Sequence, residues 1–107
     1  MAKVKLNLIA SPTFLCAVNI PVAGAQPIAV QFTCKHRTRD EYKTFLEGLK
    51  DQDDVALVMS IASGWDLEDA YTQDNVETMV QNHMGSALAI LEAYMAECSG
   101  AKHRLKN

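Results

Sequence analysis

The spacing of apolar residues changes at Thr38, and this change constrains the fold more than any other feature of the sequence. Before Thr38, apolar and polar residues alternate in three stretches, as in strands with one buried face. After it, apolar residues recur at the three- and four-residue spacing of helices. The sequence therefore predicts an α+β fold, with an N-terminal three-stranded antiparallel β-meander followed by about four α-helices packed on one face.

Short, turn-forming segments separate the three predicted strands. The strands are expected at residues 3–10, 14–22 and 28–35, with turns at 11–13 and 23–27. Strands joined by short turns pair antiparallel, and the alternation gives the sheet one apolar and one polar face.

Four helical segments are predicted after the sheet. Thr38 to Glu41 fits a capping box at the start of the first helix. Asp53 and its acidic neighbours favour the start of a second, although Val55–Ala62 is also compatible with a buried strand. Residues 63–71 are predicted to be a loop ordered by its aromatic residues.

The last two helices have their own start and stop signals. Asp74 is the predicted cap of the third helix and Ser86 that of the fourth, which is expected to turn Leu88 and other apolar residues inward. Gly100 fits the position that follows a helix end. We expect one domain over residues 1–107, with a β-meander at 1–37, a helical part at 38–99 and a flexible basic tail at 100–107.

The charges are distributed unevenly along the chain. Residues 1–50 carry a net charge of +4, whereas Asp51 to Glu97 contain ten acids and no lysine or arginine. A basic cluster lies at the predicted strand-to-helix junction and is the best candidate for nucleic-acid contact: Lys35, Arg37, Arg39 and Lys43. The acidic helices would repel phosphates, so we expect no nucleic-acid partner, and a solvated junction is the simpler interpretation.

No group of residues has the spacing of a catalytic, cofactor or metal site. Cys34 and His36 share one face of a strand, but two ligands do not hold zinc. Cys34 lies in an apolar row, where nothing favours its thiolate. We therefore expect no enzymatic activity, no cofactor and no metal.

The cysteines and apolar runs bear on localisation. Three widely spaced cysteines indicate a reducing compartment. The apolar runs are too short for a signal sequence or a membrane span, so we expect a cytoplasmic protein without membrane contact.

Several motifs, in order along nearly the whole chain, resemble the small tail assembly chaperones of tailed bacteriophages and prophages. They are the Lys-Val-Lys-Leu opening through Phe14, Phe32–Thr38, Gly64-Trp65-Asp66-Leu67, Asn75-Val76-Glu77 and Glu92-Ala93-Tyr94. The resemblance implies a protein that binds the tape-measure protein, keeps it soluble and assists recruitment of tail-tube subunits. It implies action in the host bacterial cytoplasm, absence from the mature virion and no catalytic residues.

The predicted contact surface is the tryptophan loop and the helices after it. Its candidate partner-binding residues are Trp65, Asp66, Leu67, Glu68 and Asp69. A role as core anchor is the alternative for Trp65. The oligomeric state is left open, and the alternative function is a small nucleic-acid-binding regulator that uses the basic junction.

Overall fold

A computed structural model describes residues 3–100. Within this range the α+β class, the three-stranded antiparallel sheet and the four α-helices are confirmed. The elements are β1 Thr13–Ile20, β2 Ile28–Lys35, α1 Arg39–Glu47, a 3₁₀ turn at Leu49–Asp51, α2 Asp54–Ile61, β3 Ala62–Trp65, α3 Gln73–Asn82 and α4 Ser86–Ser99.

The sheet has the order β1-β2-β3, with β2 in the centre. β1 and β2 pair antiparallel over their full length, from Thr13 opposite Lys35 to Ile20 opposite Ile28. β3 pairs antiparallel with the other edge of β2, where Phe32 lies opposite Trp65 and the register shifts after Thr33.

One face of the sheet forms the core, and the helices cover only that face. α4 packs on β1, while α2 packs on β2 and β3. The buried sheet residues alternate along the two long strands: Cys16, Val18 and Ile20 on β1, and Val30, Phe32 and Cys34 on β2. Exposed Leu15 and Ala17 lie on the opposite face. This is the arrangement expected for an antiparallel sheet with one solvated side.

The prediction of a strand at residues 3–10 was wrong, because this segment forms no strand in the single chain. This segment is exposed and pairs with no other strand in the described part of the chain. The third strand is β3, which comes from the region predicted to be loop and helix. The backbone N–H of Asp66 donates to the Gln31 carbonyl at 3.1 Å and continues the β2–β3 pairing beyond Trp65. Four residues carry too weak a periodicity to reveal such a strand.

The first two helix starts are as predicted. The Thr38 hydroxyl accepts from the Glu41 N–H at 3.2 Å, and the Glu41 carboxylate accepts from the Thr38 N–H at 2.8 Å. These bonds to Thr38 lower the pKa of Glu41. The Asp53 carboxylate accepts from the Ala56 N–H at 2.8 Å, so the stretch up to Ile61 is helix and the strand alternative is excluded.

The last two helices begin differently from the prediction. Thr72, rather than Asp74, caps α3, because its hydroxyl accepts from the Asn75 N–H at 3.1 Å. α4 is preceded by Gly85, whose φ of 89° favours glycine, and Ser86 is a buried first helical residue without a capping bond. Leu88 was expected to face inward but is 58% exposed.

The end of α4 lies where the sequence predicted it. Gly100 follows the helix with a φ of 73°, as a helix C-cap requires. The predicted tail from Ala101 to Asn107 lies outside the described residues. None of the helices within residues 3–100 has the length and apolar character of a membrane span.

Candidate partner-binding surface

Trp65 at the end of β3 and the residues up to Tyr71 form a loop, here called the Trp65 loop, that is held by hydrogen bonds within it and to β2. The indole Nε1 of Trp65 donates to the Asp69 carbonyl at 2.7 Å. The Asp66 carboxylate accepts from the Gln31 N–H at 2.9 Å. The Asp69 carbonyl and the Asp66 carboxylate therefore hold the loop in shape. The carboxylates of Glu68 and Asp69 are exposed.

Aromatic packing attaches this loop to the sheet. The Trp65 ring meets Phe32 at 6.0 Å and Tyr71 at 5.0 Å, both edge to face. The Tyr71 hydroxyl donates to the Ala62 carbonyl at 2.9 Å, and burial raises the pKa of Tyr71 to about 12. Trp65 is half-buried, so one side of its ring anchors the loop and the rest remains accessible.

A groove of about 600 Å³ runs between the Trp65 loop and α3. Its apolar lining comes from Trp65, Leu67 and Met79. Its polar lining consists of Asp69, Asn75, Thr78, Asn82 and His83. The Asn75 side chain donates to the Ala70 carbonyl at 2.7 Å, which ties the loop to the start of α3. The groove thus has apolar side chains that a partner could cover, beside polar groups that could orient it.

The surroundings of the groove are acidic. Glu68 and Asp69 are exposed on the loop, and Asp74 is exposed in the first turn of α3. The sequence from Asp51 to Glu97 contains no lysine or arginine that could offset them. The surface therefore has a negative potential, which favours positively charged groups over phosphate groups.

The basic junction has a different role, because two of its four cations bond to backbone carbonyls of α2, half-buried Arg37 and exposed Lys35. The Arg37 guanidinium donates to the Tyr94 hydroxyl and to the Ser60 carbonyl, each at 2.9 Å, and lies 4.4 Å from the centre of the Phe45 ring. The Lys35 ammonium donates to the Met59 carbonyl at 3.0 Å.

These contacts place positive charge at the negative end of a helix. The acceptor carbonyls belong to the last turn of α2, where cations are favourable. Arg39 and Lys43 are the remaining predicted nucleic-acid contacts, and both are exposed on α1. Arg37 is therefore a structural residue and the Lys35 ammonium is engaged by a carbonyl, which weakens the nucleic-acid interpretation.

The cysteines show no nucleophile-like environment. Cys16 and Cys34 are buried, and a hydrogen bond with Cys16 together with burial raises the pKa of Cys34 far above its ordinary value. Burial also raises the pKa of Cys98. Neutral thiols of this kind are poor nucleophiles and poor metal ligands. In the described range 3–100, no group of three or more His, Cys, Asp or Glu side chains could hold a metal ion.

Comparison with known proteins decides the family. A family model described as phage tail assembly chaperone matches residues 1–107. The chain belongs to this family. No curated protein and no solved structure matches it. Membership confirms the resemblance read from the motifs, implies protein partners in the phage tail and indicates a non-enzymatic role for the chaperone.

The five predicted contact residues of the chaperone are adjacent in space but not equivalent. Trp65, Leu67 and Asp69 line the groove, and Glu68 is exposed beside it. The Asp66 carboxylate is engaged by the Gln31 N–H instead. The predicted surface included the helices after the loop, but its candidate residues did not include the polar groove residues of α3, although their spacing is helical: Asn75, Thr78 and Asn82.

Proposed function

We propose that the chaperone binds the tape-measure protein of its phage through the groove between the Trp65 loop and α3. The binding keeps the tape-measure protein soluble in the host cytoplasm and presents it for recruitment of tail-tube subunits. The observation that carries this proposal is a groove with apolar side chains and exposed carboxylates on both of its flanking elements.

The groove suits an amphipathic helix. Such a helix inserts its apolar face between two elements and leaves its polar face in water. Leu67 is 37% exposed and, with the accessible side of Trp65, offers apolar contact on the loop. Met79 lines the groove on α3 but is only 8% exposed and belongs to the core, so the apolar contact comes from the loop.

The acidic residues beside the groove provide electrostatic attraction for the client. Exposed carboxylates on the loop and on α3 attract basic residues on the client and accelerate encounter. The screening length for exposed charges is about 8 to 10 Å at physiological ionic strength and shortens as salt is added. Binding should therefore weaken as ionic strength rises.

The experiment is co-expression with the full-length tape-measure protein of the same phage, measured as its soluble fraction and its co-purification. The test variant is Glu68→Lys with Asp69→Lys. It reverses two exposed charges, and it leaves the anchoring bond of Trp65 in place because that bond uses the Asp69 carbonyl. The control variant reverses two exposed acids on other helices, Glu47→Lys with Glu92→Lys.

We expect the wild-type chain and the control variant to raise the soluble fraction, and the loop variant to lose most of that effect. Equal loss in both variants would show that net charge alone matters and would place the contact elsewhere. If the wild-type chain neither solubilises nor co-purifies with the tape-measure protein, the proposed function is wrong.

A further inference from the structure

The segment Lys3–Ala10, here called the N-terminal arm, exposes apolar side chains that no described residue covers. Val4, Leu6 and Leu8 are 95%, 76% and 90% exposed, and Ile9 is 89% exposed. Such a concentration of exposed apolar side chains marks an interaction site. The arm precedes β1, whereas the Trp65 loop follows β3 at the opposite edge of the sheet.

The connection to β1 prevents the arm from folding back onto its own strand. Only Ser11 and Pro12 join the two, and a two-residue hairpin turn needs positive φ at its first or at both central positions. Proline cannot adopt positive φ, and a residue before proline is biased toward extended backbone. The Pro12 carbonyl also accepts from the His36 N–H at 2.8 Å, which continues the β1–β2 ladder past Thr13.

In the single chain the arm has no strand geometry, and its backbone bends at Leu8, Ile9 and Pro12. As a strand, its eight residues would span roughly 26 Å. The described part of the chain measures 54 Å along its longest axis against 30 and 27 Å along the others. The arm is in a position to meet another molecule.

The outer edge of β1 offers a matching partner surface. β1 is an edge strand of eight residues, the same length as the arm. Successive residues of a strand direct their backbone groups to opposite edges. Because the Pro12 carbonyl faces β2, the residues whose N–H and C=O groups face the outer edge are Thr13, Leu15, Ala17 and Asn19. The N–H that proline lacks lies on the β2 side, so this edge is uninterrupted.

We propose that the arm pairs antiparallel with the outer edge of β1 in a second copy of the chain, and that the exchange is reciprocal. The result is a symmetric dimer with its twofold axis at Pro12. The register places Lys5 opposite Asn19, Asn7 opposite Ala17 and Ile9 opposite Leu15.

This register satisfies both faces of the sheet. On the helix-covered face, the apolar row of the arm extends the buried row of β1, with these pairs: Val4 and Ile20, Leu6 and Val18, Leu8 and Cys16. On the other face, Ile9 covers Leu15, which is 61% exposed in one chain. Lys5 and Asn7 stay on the solvated face. A slip by one residue would turn the apolar row of the arm toward water.

A second copy is the occupant because one chain carries both halves of the interaction. The arm and β1 have equal length and follow each other along the chain. A twofold rotation therefore places the arm of each copy beside β1 of the other. The reciprocal pairing covers the exposed edge of β1 in both copies, and exposed edges invite uncontrolled association. The inference goes beyond the proposed function and does not depend on it.

The test is sedimentation of the full-length chain over the micromolar range. We expect a dimer for the wild-type chain and for Asn7→Ala. Asn7→Pro removes an N–H that bonds only to the second copy. Asn7 is exposed in the single chain, so this substitution should not disturb its fold. Ala17→Pro removes the facing N–H on the outer edge of β1, where proline is tolerated. Each proline variant should weaken the dimer by about tenfold or more while circular dichroism stays unchanged.

A crosslink reads the register directly. Pro12→Cys would place two thiols at the twofold axis, as a pair whose Cα atoms are about 4.5 Å apart. Oxidation should then yield a covalent dimer that the wild-type chain does not form. A monomeric wild-type chain overturns the proposal, as does a dimer that survives Asn7→Pro. Protection of the arm only after addition of the tape-measure protein would assign the arm to that partner and contradict the dimer.

Discussion

The basic junction and the Trp65 loop look alike in sequence, since each combines charged and aromatic residues, but their charges are used differently. At the junction, Arg37 and Lys35 bind the carbonyls at the end of α2, and Arg37 lies over Phe45. In the Trp65 loop, the Asp66 carboxylate accepts a hydrogen bond from the Gln31 N–H of β2, while Glu68 and Asp69 remain exposed beside the groove. A charged cluster indicates a binding surface only where the fold does not already engage the charges.

Arg37→Ala should destabilise the chain more than the other substitutions. It removes two charge-assisted hydrogen bonds and the contact with Phe45, so we expect a loss of about 3 kcal/mol in the free energy of unfolding. Arg39→Ala, at an exposed position of the same cluster, should change it by less than about 0.5 kcal/mol. Urea denaturation measures both. Similar values for the two variants would mean that the junction is not structural.

Alkaline pH tests the tyrosines that anchor the two regions. Burial raises the pKa of Tyr94, at the junction, and of Tyr71, in the loop, to about 12 from 10.0. The folded chain holds these protons while the unfolded chain releases them. Their stabilisation is therefore complete below pH 10 and is lost as pH rises from 10 to 12, by about 1 kcal/mol per tyrosine after allowance for solvent screening.

The measurement is urea denaturation between pH 9 and 12, with Tyr71→Phe as the matched variant. This variant should lose the contribution of one tyrosine to the pH dependence. An unchanged slope in Tyr71→Phe would show that the loop tyrosine titrates normally.

The start of α3 provides a smaller effect on the groove side. Thr72→Ala removes the cap of the helix that forms one wall of the groove, and we expect a loss of about 1 kcal/mol. Asp74→Ala, at the cap position that the sequence suggested, should cost less because no capping bond uses that carboxylate. Thermal unfolding of the two variants distinguishes them, and the reverse order would contradict the described helix start.

The smallest expected effect on stability belongs to Glu68→Lys with Asp69→Lys. Both side chains are exposed and the Trp65 anchor uses a backbone oxygen, so the free energy of unfolding should change by less than about 0.5 kcal/mol. A large loss of stability would place these carboxylates with Arg37, as part of the fold rather than of its surface.

Much of the fold could be predicted from periodicity and capping chemistry. β1 and β2 have eight residues each with clear alternation, and the caps at Thr38 and Asp53 are local patterns. β3 could not be found in this way, because four residues including Gly64 acquire strand geometry only by pairing with β2. The strand predicted at residues 3–10 had the right pattern but no edge within the same chain that it could reach.

The candidate site was predictable only in part. Gly64-Trp65-Asp66 pointed to the loop, but the contribution of Asn75 and Asn82 depends on how α3 packs beside it. The role of Arg37 was hidden for the same reason, since Ser60 and Tyr94 are distant in sequence. Cations bonded within a fold and cations exposed at a surface look identical in a sequence.

Hydrogen–deuterium exchange of the chain with and without the full-length tape-measure protein shows which of the two regions contacts the partner. Binding should slow exchange in the Trp65 loop and α3, over residues 65–83, and leave residues 35–43 of the basic junction unchanged. Slowed exchange confined to residues 35–43, with no change in the loop, would contradict this expectation.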